Sequence, residues 1–415
     1  MPVFLRVSLG FYLLATALGV VLRVFIVAPF EGLVFANALH AHSHTLYFGW
    51  CALGILALIF QRLGAGGPRV HALLWAIAAI SASTFVSFLQ GGYSPLSIAL
   101  SSLSLVVWAS SAVIFWKSAR GKRGLDVSFF RAAVAYLVIA SMGAIARVVL
   151  IAFHASTLQK SLAIFAFLHN FAWFFVFAII GLLLSKASAL GVRFDEGLLR
   201  RQLQLSAPLA WLSFPLGVAG GADGLLGGPA RLAAVALFVP AAFGVVALWR
   251  AAATAERAEV RATLRWLALW LGLEASLGAA GGLGLASVAV VSRHLAILYL
   301  HVLLVGVVSL GLMVAMLASL GARIPWAMWL HNLGLAVMSL GLALGGIGAL
   351  GLKLSSTVPR LGLILAAIGG ALIFVAGLGW ARAVLWASQR STDPRPISEP
   401  EPWAAEAGPA RQLSR

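Results

Sequence analysis

Acidic side chains are scarce in this chain, and so is charge of any kind. Twelve Asp and Glu stand against 29 Lys and Arg in 415 residues, and only 10% of the residues are charged. A soluble globular domain carries about 25% charged residues, so a water-soluble body of this composition could not cover its surface with polar groups. A single cysteine, Cys51, is present. That excludes an intrachain disulfide framework and a thiolate metal cluster, and without Cys-x-x-Cys-His there is no covalent c-type haem attachment. The sequence also lacks His-Glu-x-x-His, and none of its Gly-rich stretches leads into Lys-Ser or Lys-Thr, so neither a zinc-hydrolase motif nor a phosphate loop is written in it. Short alternating segments are missing too, which excludes a transmembrane β-barrel.

What is there is apolar: 62% of the residues are hydrophobic. They fall in runs near 20 residues, the length a hydrocarbon core of roughly 30 Å demands of a helix. The expected fold is an all-α polytopic membrane protein with about twelve transmembrane helices, over 4–28, 38–62, 70–90, 96–117, 129–154, 161–185, 205–222, 229–249, 264–290, 293–319, 326–350 and 361–387. The first run is longer than a signal-peptide core and has no clear small-residue cleavage site, so it reads as the first span. The seventh is interrupted by Pro208, Pro215 and several glycines. Residues 1–387 form the expected membrane domain. Residues 388–415, with Pro, Glu and Arg and no apolar period, are expected to be a disordered cytoplasmic tail.

The formal net charge of +17 sits in the links between runs, which points to anionic lipid as the partner and not to nucleic acid. Links two, four, six and eight hold Arg62 and Arg69; Lys117, Arg120, Lys122 and Arg123; Lys186, Arg193, Arg200 and Arg201; and Arg250, Arg257 and Arg261. Odd-numbered links are poorer, with Lys160, Arg231, Arg293, Lys353 and Arg360. By the positive-inside rule both termini are cytoplasmic, in a multi-pass protein of a bacterial inner membrane. Close-spaced glycines, such as Gly278, Gly281, Gly282 and Gly284, or Gly341, Gly345, Gly346 and Gly348, suit close helix packing.

Ionisable side chains at membrane depth are costly and mark functional sites. Histidine is the informative type. With the orientation above, His40, His42, His44, His154, His169, His294 and His301 fall in the outer half, and His71 and His331 in the inner half. Neutral imidazole is a usual ligand of haem iron and copper. His40 and His44 are one turn apart on one face, while His42 points nearly opposite. His294 and His301 also share a face. The bland alternative, interfacial histidines bonded to water, suits His71 and His154 best. Arg23 and Arg147 lie in the outer half, where Glu31 is the available acid; haem propionates would suit them as partners, and snorkelling to the interface is the alternative. Glu274, mid-span in helix nine, reads either as a proton-relay carboxyl or as a protonated acid bonded to a neighbouring helix.

The stretch from Leu39 to Trp50, with His40, His42 and His44 followed by Gly49-Trp50, resembles the second helix of the haem–copper oxidase subunit I superfamily. His301 followed by Gly306 repeats the pattern in span ten. The chain is also similar to the nitric-oxide-response haem–copper membrane proteins. The resemblance implies a haem–copper-oxidase-like bundle holding a b-type haem, with His44 and His301 as axial pair, His40 or His42 as substitutes for His44, and Arg23 and Arg147 beside the haem. It implies copper or another metal near His169 and His294. The implied function is electron transfer or binding of a diatomic gas (O2 or NO) at an outer-leaflet haem, with respiratory-chain subunits as partners. The chain departs from the family in span seven, which has no histidine, in span six, which has no tyrosine near His169, and in span ten, which lacks His-x-His. A complete oxygen-reducing centre is therefore not expected. Two rival readings are a secondary transporter using Glu274 and a haem-free metal-binding subunit of a respiratory complex.

Overall fold

The computed structural model describes residues 1–218, 227–285, 293–346 and 357–390. The expected ends of spans seven, nine and eleven, Lys353, Gly348 and residues 391–415 of the tail lie outside the described residues. The protein is an all-α polytopic membrane protein. Its helices are α1 (Pro2–Val27), α2 (Phe35–Arg62), α3 (Pro68–Gly91), α4 (Pro95–Ser118), α5 (Leu125–Ala152) and α6 (Thr157–Ser185). They continue as α7 (Glu196–Ser213), α8 (Gly227–Thr254), α9 (Ala258–Gly284), α10 (His294–Ser319) and α11 (Ala327–Gly346), and α12 (Thr357–Arg390).

Among the described residues, eleven helices are long and apolar enough to cross a membrane. The exception is α7, the seventh expected span. It begins at Glu196, nine residues before the expected start, and its first turns carry Glu196, Arg200 and Arg201. Its apolar part is too short by composition, yet it runs alongside a spanning helix. Asp195 meets Arg250 at 2.8 Å, and farther along Gln202 lies against Gly244, so α7 is antiparallel to α8. Its 18 residues rise about 27 Å, and a tight turn, Phe214–Gly217, extends it. The last helix, α12, continues as a helix to Arg390, and its part long and apolar enough to cross a membrane is Thr357–Ala387.

Local signals start and stop these helices. Pro occupies the first turn of α1, α3 and α4, where its missing N–H costs nothing. Ser94 accepts from the Ser97 amide at the start of α4. Ser156 and Gln159 form a reciprocal capping box on α6. At the basic end of the bundle, Arg62 pairs with Asp126 at 2.8 Å and Arg257 donates to the Ala189 carbonyl at 2.9 Å. The even-numbered links therefore brace one another at a common end.

Three helices form the centre. The apolar windows of α2, α6 and α10 are 83%, 67% and 89% buried, against 22–50% for the other spans. Two of the three share an irregular design. In α2, eight residues, Thr45–Ala52, form a π-helical segment directly after His44. In α10, eight residues, Val302–Ser309, do the same directly after His301. A π turn widens the helix and releases backbone carbonyls, and such turns recur at functional sites. The released positions find partners: Ser309 Oγ donates to Leu304 O at 2.7 Å and accepts from the buried Trp50 indole at 2.9 Å, joining α10 to α2. Elsewhere glycine sets the spacing. Gly334 and Gly341 of α11 meet Gly369 and Gly362 of α12 backbone to backbone, the close approach that small residues permit.

Candidate functional site

His42 and His44 are two positions apart on α2, hence about 200° apart around a helix. They consequently serve different neighbours. His42 faces α1. Its Nδ1 donates to Ala15 O at 2.8 Å, and Gly19 is so close that an added Cβ would lie 3.0 Å from His42 Cε1. His301 donates from Nδ1 to Ile297 O, one turn back in α10, at 2.8 Å. With Nδ1 carrying the proton, each ring presents an unprotonated Nε2, the tautomer a metal ligand needs.

These two rings are within electrostatic reach of each other and of Arg23. His294, packed against Gly345 of α11, is in reach of Arg23 as well. Arg23 is only 9% exposed. Among the described residues no carboxylate lies within ion-pair distance of it. The result is a group from α1, α2 and α10 of one guanidinium and three imidazoles, with no ion-paired acid among the described residues. An uncompensated buried guanidinium is costly, so this group fits a ligand that brings its own negative charge. The missing side chain of Gly19 makes room for the His42 ring itself; two imidazoles with unprotonated Nε2 and a buried cation are the donor types that would suit a haem with anionic propionates.

His44 is turned away from His301. Its Nδ1 donates to His40 O at 2.9 Å, and its ring stacks on Phe88 of α3 at 4.2 Å between centroids. His40 packs edge-on against Tyr93 at 4.4 Å. Of the two expected candidates on α2, His42 is the one whose ring is within electrostatic reach of His301, while His44 packs on α3. Arg147 is likewise placed apart from Arg23; it interacts with Tyr93, on the His40 and His44 side.

His169 and His294 are not brought into a common cluster. Nε2 of His169 donates to Ala210 O, an orphan carbonyl at the end of α7, at 2.8 Å, with the Ser213 hydroxyl at 3.1 Å. His169 therefore ties α6 to α7. Among the described residues no group of three or more His, Cys, Asp or Glu could hold a metal ion. His331, fully buried, has both nitrogens engaged, with Tyr12 OH at 3.4 Å and Val305 O at 3.2 Å. Val305 belongs to the π segment of α10, so this histidine caps the irregularity. His154 is exposed and ends α5 with a positive φ of 51°. Glu274 accepts from Tyr299 OH at 2.9 Å, joining α9 to α10.

Sequence reasoning did not single out Gly19, Tyr12 or Tyr299, and it read Gly345 only as one of a set of close-spaced packing glycines. Gly19 and Gly345 are two of 43 glycines, and only their neighbours across the bundle distinguish them. Scanned against protein-family models and searched against curated proteins, the chain gives no match.

Proposed function

We propose that the protein is a haem-binding integral membrane protein of haem–copper-oxidase-like design, with a b-type haem held between His42 of α2 and His301 of α10. The observation that carries this reading is the convergence of two Nδ1-anchored imidazoles on Arg23 with no acid beside it. In this reading His42 and His301 would hold the haem iron through Nε2. Their bonds to Ala15 O and Ile297 O hold the ring planes and raise ligand basicity. Arg23 would neutralise a propionate. When bound, the haem would supply a one-electron couple, which suits electron transfer or binding of a diatomic gas. The site lies in the outer leaflet if the basic links face the cytoplasm. That orientation puts both termini inside, suits a bacterial inner membrane, and leaves the outer end for respiratory-chain partners.

The test is the reduced-minus-oxidised spectrum of protein purified in detergent after expression with haem supply. Low-spin b-type bands are expected in the parent and in His44→Ala, and are lost in His42→Ala and His301→Ala. Absence of haem bands from the parent refutes the reading; loss in His44→Ala with retention in His42→Ala returns the pairing to His44.

A further inference from the structure

The side of α2 opposite His42 is left unused by the proposed haem. It carries His40 and His44, one turn apart. Two imidazoles at i and i+4 on one helical face are a bidentate chelate, the spacing used by helical zinc motifs. The structure adds three further features. The proton of His44 is committed at Nδ1, to His40 O at 2.9 Å, which leaves Nε2 as a lone pair. Phe88 stacks on the His44 ring and Phe48 meets it edge-on at 5.2 Å, so the ring is held on both sides before any ligand arrives. His40 has no hydrogen-bond partner among the described residues, and its ring is within electrostatic reach of His44.

The pair is approached through His40, which is half-buried, while His44 lies deeper against Phe88 and Phe48. Tyr93, packed on His40, is 60% exposed and lies in the link between α3 (ending at Gly91) and α4 (starting at Pro95), at an aqueous end of the bundle. Arg147 interacts with Tyr93 and makes the mouth electropositive. Among the described residues no group with a carboxylate gathers here for a hard cation such as Mg2+ or Ca2+, and Arg147 would repel it. An ion bound through imidazole nitrogen tolerates that field, and an exogenous anion or hydroxide beside Arg147 would complete its coordination.

We propose that His40 and His44 form a two-histidine site for an imidazole-preferring divalent transition metal, Cu2+ or Zn2+, separate from the haem site on the opposite face of the same helix. Cu2+ heads the affinity order for nitrogen sites, so it is the probe. Titrating purified, detergent-solubilised protein with Cu2+ should give one equivalent whose EPR spectrum shows coupling to two imidazole nitrogens. His40→Gln and His44→Gln should each weaken binding by at least about tenfold, and His42→Gln should leave it within about twofold. Unchanged affinity in the His40→Gln/His44→Gln double variant overturns the proposal, as does an equal loss in His42→Gln. If the variants do not fold, Cu2+ should shield His40 and His44, and not His71 or His154, from acylation by diethyl pyrocarbonate in the parent protein; equal labelling with and without Cu2+ overturns it. Haem bands that persist in the double variant separate this site from the haem reading.

Discussion

Substituting Gly369 by alanine should destabilise the bundle although it adds a single methyl group. A Cβ built at Gly369 would lie 2.4 Å from Met338 N, 2.5 Å from Gly334 O and 2.7 Å from Met338 Cα. All three are backbone atoms of α11, so no side chain can swing aside. Restoring ordinary contact requires the α11–α12 pair to part by about 1 Å, and a gap of that size forfeits roughly a quarter to a half of each dispersion contact along the seam. Overpacking of a fixed wall costs about 1–3 kcal/mol, and with backbone on both sides the upper figure applies, about 3 kcal/mol. Gly370 is the matched control, because its Cβ would meet only Val20 Cγ2 at 4.0 Å. There alanine should be neutral or gain up to about 1 kcal/mol from helix propensity. The assay is the temperature at which detergent-solubilised protein stops eluting as a monodisperse peak. Gly369→Ala should lower it by roughly 5 °C, and Gly370→Ala should not. Equal behaviour of the two variants would refute the interlocked packing.

The link between α2 and α10 through Trp50 and Ser309 makes a second test. Ser309→Ala strands a buried indole N–H and should cost about 1–3 kcal/mol; the Trp50→Phe/Ser309→Ala double variant should cost less than the sum of the singles, and strict additivity in a thermal-stability cycle would contradict the bond. A third concerns pH. Asp195, which caps the Leu198 amide and pairs with Arg250, is held below its usual value of 3.8, first by that amide bond. A depressed carboxylate stabilises above the unfolded value and loses that contribution as pH falls through the folded one. Hydrogen exchange at the start of α7 should therefore accelerate below about pH 3.8, and Asp195→Ala should show that faster exchange already at neutral pH. A flat pH profile in the parent would count against the cap.

How far the sequence speaks depends on the kind of signal. Bilayer thickness acts on every residue of a span, so eleven of the expected spans appear as helices of sufficient length and apolarity. Span seven shows the limit. Its charged first turns lie outside any hydropathy window, and only the Asp195–Arg250 and Gln202–Gly244 meetings reveal that α7 runs beside α8. The histidines were legible as residues worth attention, because three within five positions at a helix start is a dense local pattern. Their partners were not. Whether 42 or 44 faces α10 depends on the rotation of α2 about its axis. That rotation is fixed by Gly19, which lets His42 approach α1, and by Phe88, which receives His44 on the other side. Both contacts are long-range and involve residue types the chain has in abundance. The π segments illustrate the same division. Gly49 and Gly306 each stand five residues after a histidine, but nothing local distinguishes a π turn from an α turn at those positions. The turn is paid for across the bundle, where His331 takes Val305 O and Trp50 meets Ser309. The local pattern therefore singles out the histidines, while the packing of α1, α3 and α11 around α2 and α10 decides which imidazole points where. That is why one five-residue cluster faces two ways, with His42 packed against Gly19 of α1 and His40 and His44 packed against Tyr93 and Phe88.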